Sequence, residues 1–555
     1  MFETAERVQA VDEATYAAQA PLLRRALLEA QARLRAARVS GLLLFTGVEK
    51  AGTGDTVNLL NAWMDPRWLD TLAYGPPTDV ERARPRFWRY WRDMPPHGEL
   101  GLRMGAWYSE PLAARVAGRL GDGAWERALG EIADFEELLA ADGMLILKFW
   151  MHLGRDAQKA RLEALAADPL QAWRVDERDW SQWRQHGAMT RAGEEMLLAT
   201  STGHAPWHIV EGSDTRYRHL RVANVLLAAL NHHLDARGAP APKPEAPSVA
   251  ADPPPVEVAV VDEGDEPEDE ADKARHAPAA PTPIRPRSLL CDLEMGDNPS
   301  KAAYERELAR LQGRLNGLSR RAQAAGVPLV AVFEGWDAAG KGGAIRRVTA
   351  ALDARHYRVL PFAAPTDEER ARHYLWRFWR HLGAAGSATF FDRSWYGRVL
   401  VERIEGFATA AEWQRAYAEI NHFEGQLAAA GTALVKLWLH ITPEEQAKRF
   451  AARAETPWKQ WKITEEDWRN RSKWAEYEAA VHDMVERTST AVAPWTLVPA
   501  NHKRRARLVV LEAVCDRWAA ALPAGEAPSD EGAPVEGGEK KRRKSKGRKG
   551  EDETR

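Results

Sequence analysis

Residues Phe333 to Gly343 read FEGWDAAGKGG: an apolar run ends in Gly335, then come Gly340, Lys341, Gly342 and Gly343, and a helical pattern follows. Glycines let backbone N–H groups approach an anion and a helix start attracts it, so the stretch suits phosphate capture, with Lys341 as a point charge. In the common loop of nucleotide hydrolases the lysine precedes a Ser or Thr whose hydroxyl ligates Mg²⁺. Here Gly342 stands in that place. Asp337 supplies a substitute. A carboxylate inside an anion-binding loop repels phosphate unless a cation lies between, so Asp337 is expected to ligate Mg²⁺, with Mn²⁺ as the alternative. The plainer reading is a Gly-rich turn carrying a solvated lysine.

A second group lies in TFFDRSWYGR, where an apolar run ends at Asp392 and is followed by Arg393 and Arg398. A carboxylate at a strand tip, in a chain that already has a phosphate loop, is expected to be the second metal ligand. Arg393 and Arg398 can bind phosphate oxygens through their guanidinium forks; a strand cap beside a structural salt bridge is the alternative. Third, Lys448, Arg449, Arg453, Lys459 and Lys462 recur at roughly helical spacing, as a lid bringing positive charge over a phosphate chain would have them. A solvated face paired with Glu444, Glu445 and Glu455 would show the same spacing. Lys503, Arg504, Arg505 and Arg507 extend the cationic set, and Trp395 and Tyr396, beside Asp392, are candidates for contact with a base.

These groups must be held by a sheet. A charged helical stretch from Tyr304 to Ala325 precedes VPLVAVF; SATFFD and TALVKLWLH are further short apolar runs, with helical patterns between them. Strand and helix in alternation predict an α/β fold, a parallel sheet flanked by helices with sites at the carboxyl ends of the strands. The pattern occurs twice. Trp376-Arg377-Phe378-Trp379-Arg380 stands 288 positions after Trp88-Arg89-Tyr90-Trp91-Arg92, and the same offset holds without a gap from the pair Tyr16 and Tyr304 to the pair Trp207 and Trp495. Each copy is a whole domain rather than a short solenoid repeat. Residues 237–288 are rich in Pro, Ala and acidic side chains and predict a disordered linker between domains 1–236 and 289–523. Residues 524–555 form a basic tail that could tether a polyanion or simply solubilise the chain.

The 555 residues carry a net charge of −3, so no global basic field argues for nucleic acid. The two cysteines, Cys291 and Cys515, are too few for a disulfide framework and fit a reducing cytoplasm. No apolar run approaches the ~18 residues of a membrane span.

Taken together, Gly335–Gly343, Asp392–Arg398, Pro457-Trp458-Lys459-Gln460-Trp461-Lys462 and Ala493-Pro494-Trp495 resemble the polyphosphate kinase 2 family. The resemblance runs from Cys291 to Leu522, and more weakly through the first copy; the tandem arrangement looks like the family's polyphosphate:AMP phosphotransferase subgroup. It implies two tandem P-loop kinase-like domains with helical lids, inorganic polyphosphate as donor, and a nucleotide as acceptor with Mg²⁺. On matching positions it makes Asp337 and Asp392 metal or acceptor-phosphate carboxylates, Lys341 and Arg393 the clamp on the transferring group, and the lid cations the polyphosphate track. AMP to ADP is the expected reaction. The alternatives are a nucleoside diphosphate acceptor (ADP or GDP), an ATP-using P-loop kinase, and a non-catalytic scaffold that binds polyphosphate or nucleotide. Expected partners are polyphosphate and AMP or ADP, with self-association into a homo-oligomer and neither a membrane nor a specific nucleic acid.

The first copy departs where chemistry would occur. At the offset Asp337 becomes Glu49, Lys341 becomes Thr53, Asp392 becomes Met104, Arg393 becomes Gly105 and Arg453 becomes Leu165. That half is expected to fold but not to catalyse.

Overall fold

The computed structural model describes residues 1–238 except 8, 169–171 and 173–174, residue 290, and residues 293–455 and 465–523. The basic tail, nearly all of the 237–288 segment, and Lys459 and Lys462 with the rest of Pro457–Lys462 lie outside the described residues.

Each apolar run becomes a strand. In the first half these are β1 (Gly41–Gly47), β2 (Leu69–Ala73), β3 (Leu100–Met104), β4 (Leu145–His152) and β5 (Trp207–Glu211). In the second they are β6 (Leu329–Gly335), β7 (Tyr357–Pro361), β8 (Ala388–Asp392), β9 (Ala433–His440) and β10 (Trp495–Pro499). The sheets run β2-β3-β1-β4-β5 and β7-β8-β6-β9-β10, and every paired neighbour is parallel. Both faces of the central strands are covered by helices, which is why they read as unbroken apolar runs. In each sheet the chain reverses direction across its first strand, so ligands belong at that strand's carboxyl end.

The flanking helices are amphipathic with explicit stops. Helix Lys301–Ala325 is capped by Ser300, whose Oγ accepts from the Ala303 N–H at 3.2 Å, and ends at Gly326 with φ 68°. It buries Leu311, Leu315, Leu318 and Ala322, a stripe at i, i+4, i+7 spacing. Among the described residues no helix is long and apolar enough to cross a membrane.

The halves pack on each other about a pseudo-two-fold axis. Trp91 stacks on Trp379 with ring centroids 5.9 Å apart. The His97 N–H donates to the Ala371 carbonyl at 2.7 Å and the Ala385 N–H to Ala83 at 2.9 Å, the same contact with the roles of the halves exchanged. Asp142 also accepts from Arg415 at 2.6 Å.

Candidate active site

The carboxyl end of β6 is where the phosphate loop forms. Gly335 has φ 143°, and a Cβ there would lie 2.4 Å from the Leu439 carbonyl, so only glycine lets β6 run this close to β9. The chain turns through Trp336–Ala339 and enters helix Lys341–Thr349 from Gly340, at φ 108°. Lys341 is thus the first helical residue, and its Nζ donates to the Gly335 carbonyl at 2.6 Å. Between the loop and the tip of β8 lies a cavity of about 410 Å³, lined by Trp336–Gly343, Arg346, Asp392, Arg393, Arg453 and Asp467. Gly335 shapes the loop; Asp337, Gly340, Lys341, Gly342, Gly343, Asp392, Arg393 and Arg453 all border one space.

The carboxylates face the loop cations. Asp337 Oδ1 accepts from Arg393 Nη2 at 3.3 Å and Oδ2 from Asn470 Nδ2 at 3.0 Å. Burial pushes the Asp337 carboxyl upward, but Lys341 and Arg393 outweigh it and hold the group below the usual range. The Oδ2 of Asp392 lies against the loop, 3.9 Å from where a Cβ on Gly342 would be. Arg393 sits at φ 66°, where an L side chain is strained by about 1–3 kcal/mol. The first half keeps this turn with Gly105, at φ 63°. Placing an arginine where glycine is easier points to a use for its side chain.

A second cavity of about 420 Å³ adjoins the first across Ala338–Gly340, Gly343, Arg346 and Arg453. Its charged lining is Arg346, Arg347, Lys448, Arg449, Arg453, Lys503 and Arg507, against one acid, Glu445. The first cavity mixes carboxylates with cations; the second is a cationic groove that matches a phosphate chain.

Several expectations change. Arg449 borders the groove, but it is buried, and Nε bonds Glu445 while its terminal nitrogens donate to the carbonyls of Ala338, Ala339, Ala500 and Asn501 at 2.7–3.0 Å. All five donors are consumed. It splints the loop rather than binding substrate. Arg398 does not border either cavity: it pairs with Glu402 at 3.1 Å and lies over the Tyr374 ring. Trp395 and Tyr396 cannot touch a base, because both are fully buried and donate to Glu424 Oε1 at 3.0 and 2.7 Å.

The structure also brings in residues that the motifs do not mark. Glu334, buried at the end of β6, accepts from the Ser394 hydroxyl at 2.8 Å. Burial pushes its carboxyl upward, and Lys341, Ser394 and Arg393 offset only part of that. Asn470 holds Asp337 from helix Glu465–Ser472, and Arg346, one turn along the loop helix, borders both cavities. One signal in the sequence could have found these residues. At the 288 offset Glu334 becomes Thr46, Ser394 becomes Ala106, Asn470 becomes Gln182 and Arg346 becomes Asn58, so they vary together with the recognised charges.

The sequence profile of the family described as Polyphosphate kinase 2 (PPK2) matches residues 10–237 and again 298–524. The chain is 47% identical to a Polyphosphate:AMP phosphotransferase of Pseudomonas aeruginosa over 522 residues, 94% of this chain and 99% of the relative. It is 46% identical to a Polyphosphate:AMP phosphotransferase of Pseudomonas syringae pv. tomato over 515 residues, 93% and 97% of the two chains. A crystal structure described as a polyphosphate kinase 2 from Pseudomonas aeruginosa PA01 superposes with a TM-score of 0.78 at 46% identity, covering 94% of this chain and 99% of that one.

Proposed function

The chain belongs to the polyphosphate kinase 2 family, and from that premise we propose that its C-terminal half, residues 289–523, transfers a terminal phosphoryl group from inorganic polyphosphate to AMP. The observation that carries this reading is the joining of two unlike cavities at one loop: a mixed-charge space holding Asp337, Lys341, Asp392 and Arg393, open to a groove lined by cations. A donor with no base or sugar needs such a groove rather than a nucleoside pocket. The relatives that match both halves, named polyphosphate:AMP phosphotransferases, support AMP as acceptor.

In the proposed reaction an AMP phosphate oxygen attacks the terminal phosphorus of the chain, and the bond to the next phosphate breaks. ADP and a chain shorter by one phosphate result. The attacking oxygen is already anionic, so no base must remove a proton. Lys341 and Arg393 hold the oxygens of the transferring group, while Arg346, Lys448, Arg453, Lys503 and Arg507 keep the donor in line. Asp337 and Asp392 would hold Mg²⁺, or Mn²⁺ in its place. Both offer oxygen donors at one cavity, and two carboxylates plus substrate phosphates are a usual set for such an ion. When bound, the ion neutralises charge on the phosphoryl oxygens.

The first half has no such set and is proposed to be inactive. We place the protein in the cytoplasm and expect homo-oligomers, which sedimentation would reveal. The decisive assay gives the purified chain Mg²⁺, long-chain polyphosphate, and AMP or ADP, with products separated by chromatography. ADP from AMP, with little ATP from ADP, is expected. ATP made mainly from ADP would overturn the acceptor assignment, and no product from either would overturn the reaction.

A further inference from the structure

The first half has lost its phosphate chemistry but keeps a cavity of about 270 Å³ at the same corner, between its loop and helices Ser109–Val116 and His186–Thr200. That is close to the low end of small-molecule sites, about 300–1,000 Å³. Its lining includes no lysine or arginine, and the Glu49 carboxylate stands at the loop. Neighbouring Lys50 is turned to Asp179, at 3.0 Å. A phosphate would meet repulsion here rather than a clamp.

The C-terminal half shows what would otherwise occupy this space. There Trp336 stacks on Trp474 with centroids 3.6 Å apart and planes 10° apart, and Tyr477 lies beside them. At the 288 offset these three rings become Val48, His186 and Met189, which all line the cavity. Part of the lost volume is refilled. Phe2 stacks on His152 and Trp150 at 4.5 and 5.5 Å, much as Trp336 packs on His440 and Trp438 in the other half. The remainder stays open between Leu112, Met189 and His186, whose ring is held by donation from Nε2 to the Leu153 carbonyl at 2.8 Å. A slot left by missing indoles favours a flat ring.

Gln158, one of the lining residues, carries a buried atom without a partner. Gln158 is 1% exposed, and its Nε2 donates to the Glu49 carbonyl at 3.2 Å, but its Oε1 accepts nothing. The equivalent Gln446 Oε1 accepts from Arg471 at 3.1 Å, and position 183, where that guanidinium would stand, is a tryptophan. An unsatisfied buried acceptor costs about 1–3 kcal/mol, which a ligand bringing an N–H would recover.

We propose that this cavity binds an uncharged, flat heterocycle bearing N–H donors, of the purine base or nucleoside class, and excludes its phosphorylated form. The ring fills the slot beside His186, and an amino or ring N–H donates to Gln158 Oε1. The inactive half would then register dephosphorylated purine while its sister handles the nucleotide.

The test is calorimetric titration of the full chain with adenine and with adenosine. Saturating AMP is present, without polyphosphate, so that the C-terminal acceptor site is filled and no turnover occurs. Saturable binding at one site is expected. Gln158→Leu should weaken it by about tenfold, the loss of one hydrogen bond. Ala113→Trp, which fills the cavity, should abolish it. Both variants should keep phosphoryl transfer to AMP, and the N-terminal melting transition shows whether the first half folds. No saturable binding to the wild-type chain would overturn the proposal, as would binding untouched by both substitutions. If one variant fails to fold, the other decides.

Discussion

Lys436 and Lys148 offer a paired experiment, because the same buried charge cluster occurs in both halves. Lys436 Nζ donates to Glu424 at 2.7 Å, Tyr396 at 2.9 Å and the Thr488 carbonyl at 2.6 Å. Lys148 reaches Glu136 at 2.6 Å, Tyr108 at 3.1 Å and the Thr200 carbonyl at 2.6 Å. Each lysine and glutamate is fully buried. Lys436→Met leaves a carboxylate without its counter-charge, which costs about 3–5 kcal/mol. At about 2–4 °C per kcal/mol for a domain of this size, the C-terminal melting transition should fall by about 6–20 °C. Lys148→Met should lower the N-terminal transition comparably. Adding Glu424→Gln to Lys436→Met removes the orphaned charge but keeps an acceptor for Trp395 and Tyr396, so most of the loss should return. The sign with pH follows. Burial already pushes Glu424 upward, and without Lys436 it rises further. The penalty is therefore present above the unfolded value of about 4.3 and shrinks as pH falls toward it. Scanning calorimetry of the full chain reads both transitions, and the transfer assay reads function. Lys436→Met should also impair transfer, since Trp395 and Tyr396 anchor the turn after Asp392 and Arg393, whereas Lys148→Met should not. A double variant as unstable as Lys436→Met alone would refute the buried-charge reasoning.

Three further outcomes are expected. Lys341→Ala should lower kcat by about 10²–10³-fold while the C-terminal half still folds; retained turnover would remove Lys341 from the clamp. Glu334→Gln should stabilise the fold by about 0.5–2 kcal/mol at pH 8, because a carboxyl whose folded pKa is raised weakens the fold once ionised. That gain should vanish as pH falls toward about 4.3, while turnover drops; a lower melting temperature at pH 8, or unchanged turnover, would refute the inference that Glu334 is kept for the reaction at the fold's expense. Met104→Asp should not revive the first half, since Thr53, Gly105 and Leu165 remain, as transfer measured in a Lys341→Ala background would show.

The loop and its partner strand were legible because their chemistry fixes residue types at fixed spacing: Gly335, Asp337, Gly340, Lys341 and Asp392 each have a reason to stand where they do. The duplication was legible as a constant offset, which no side-chain geometry can obscure. Other features depend on three-dimensional competition for donors. Helical spacing puts Arg449 among the lid cations, yet spacing cannot show that four backbone carbonyls consume its guanidinium. Trp395 adjoins the Asp392 carboxylate in sequence, but its indole turns into the core to meet Glu424, 29 residues away. Glu334 was hidden for the opposite reason: a single acid at the end of an apolar strand looks incidental until Ser394 is brought to it from the turn after the neighbouring strand β8.

The two halves act as a control for each other, and this separates buried charge that serves the fold from buried charge that serves chemistry. A cluster required for folding should survive in both copies, and Lys148–Glu136 and Lys436–Glu424 do, with the lysine–carboxylate distances 2.6 and 2.7 Å. A buried acid that weakens the fold should persist only where a reaction uses it. Glu334 fits that criterion: it is desolvated and incompletely compensated beside Lys341, and the first half replaces it with Thr46 and its partner Ser394 with Ala106 while keeping the strand order of the sheet. Asn470 and Arg346 vary in the same way, whereas Gln158 and Gln446 do not. Both glutamines hold the loop through a backbone carbonyl, that of Glu49 or Asp337, but in the first half the second bond has been lost. The bond to the loop accounts for keeping the glutamine in both halves, and in the first half the unmet acceptor is what a donating ligand would satisfy.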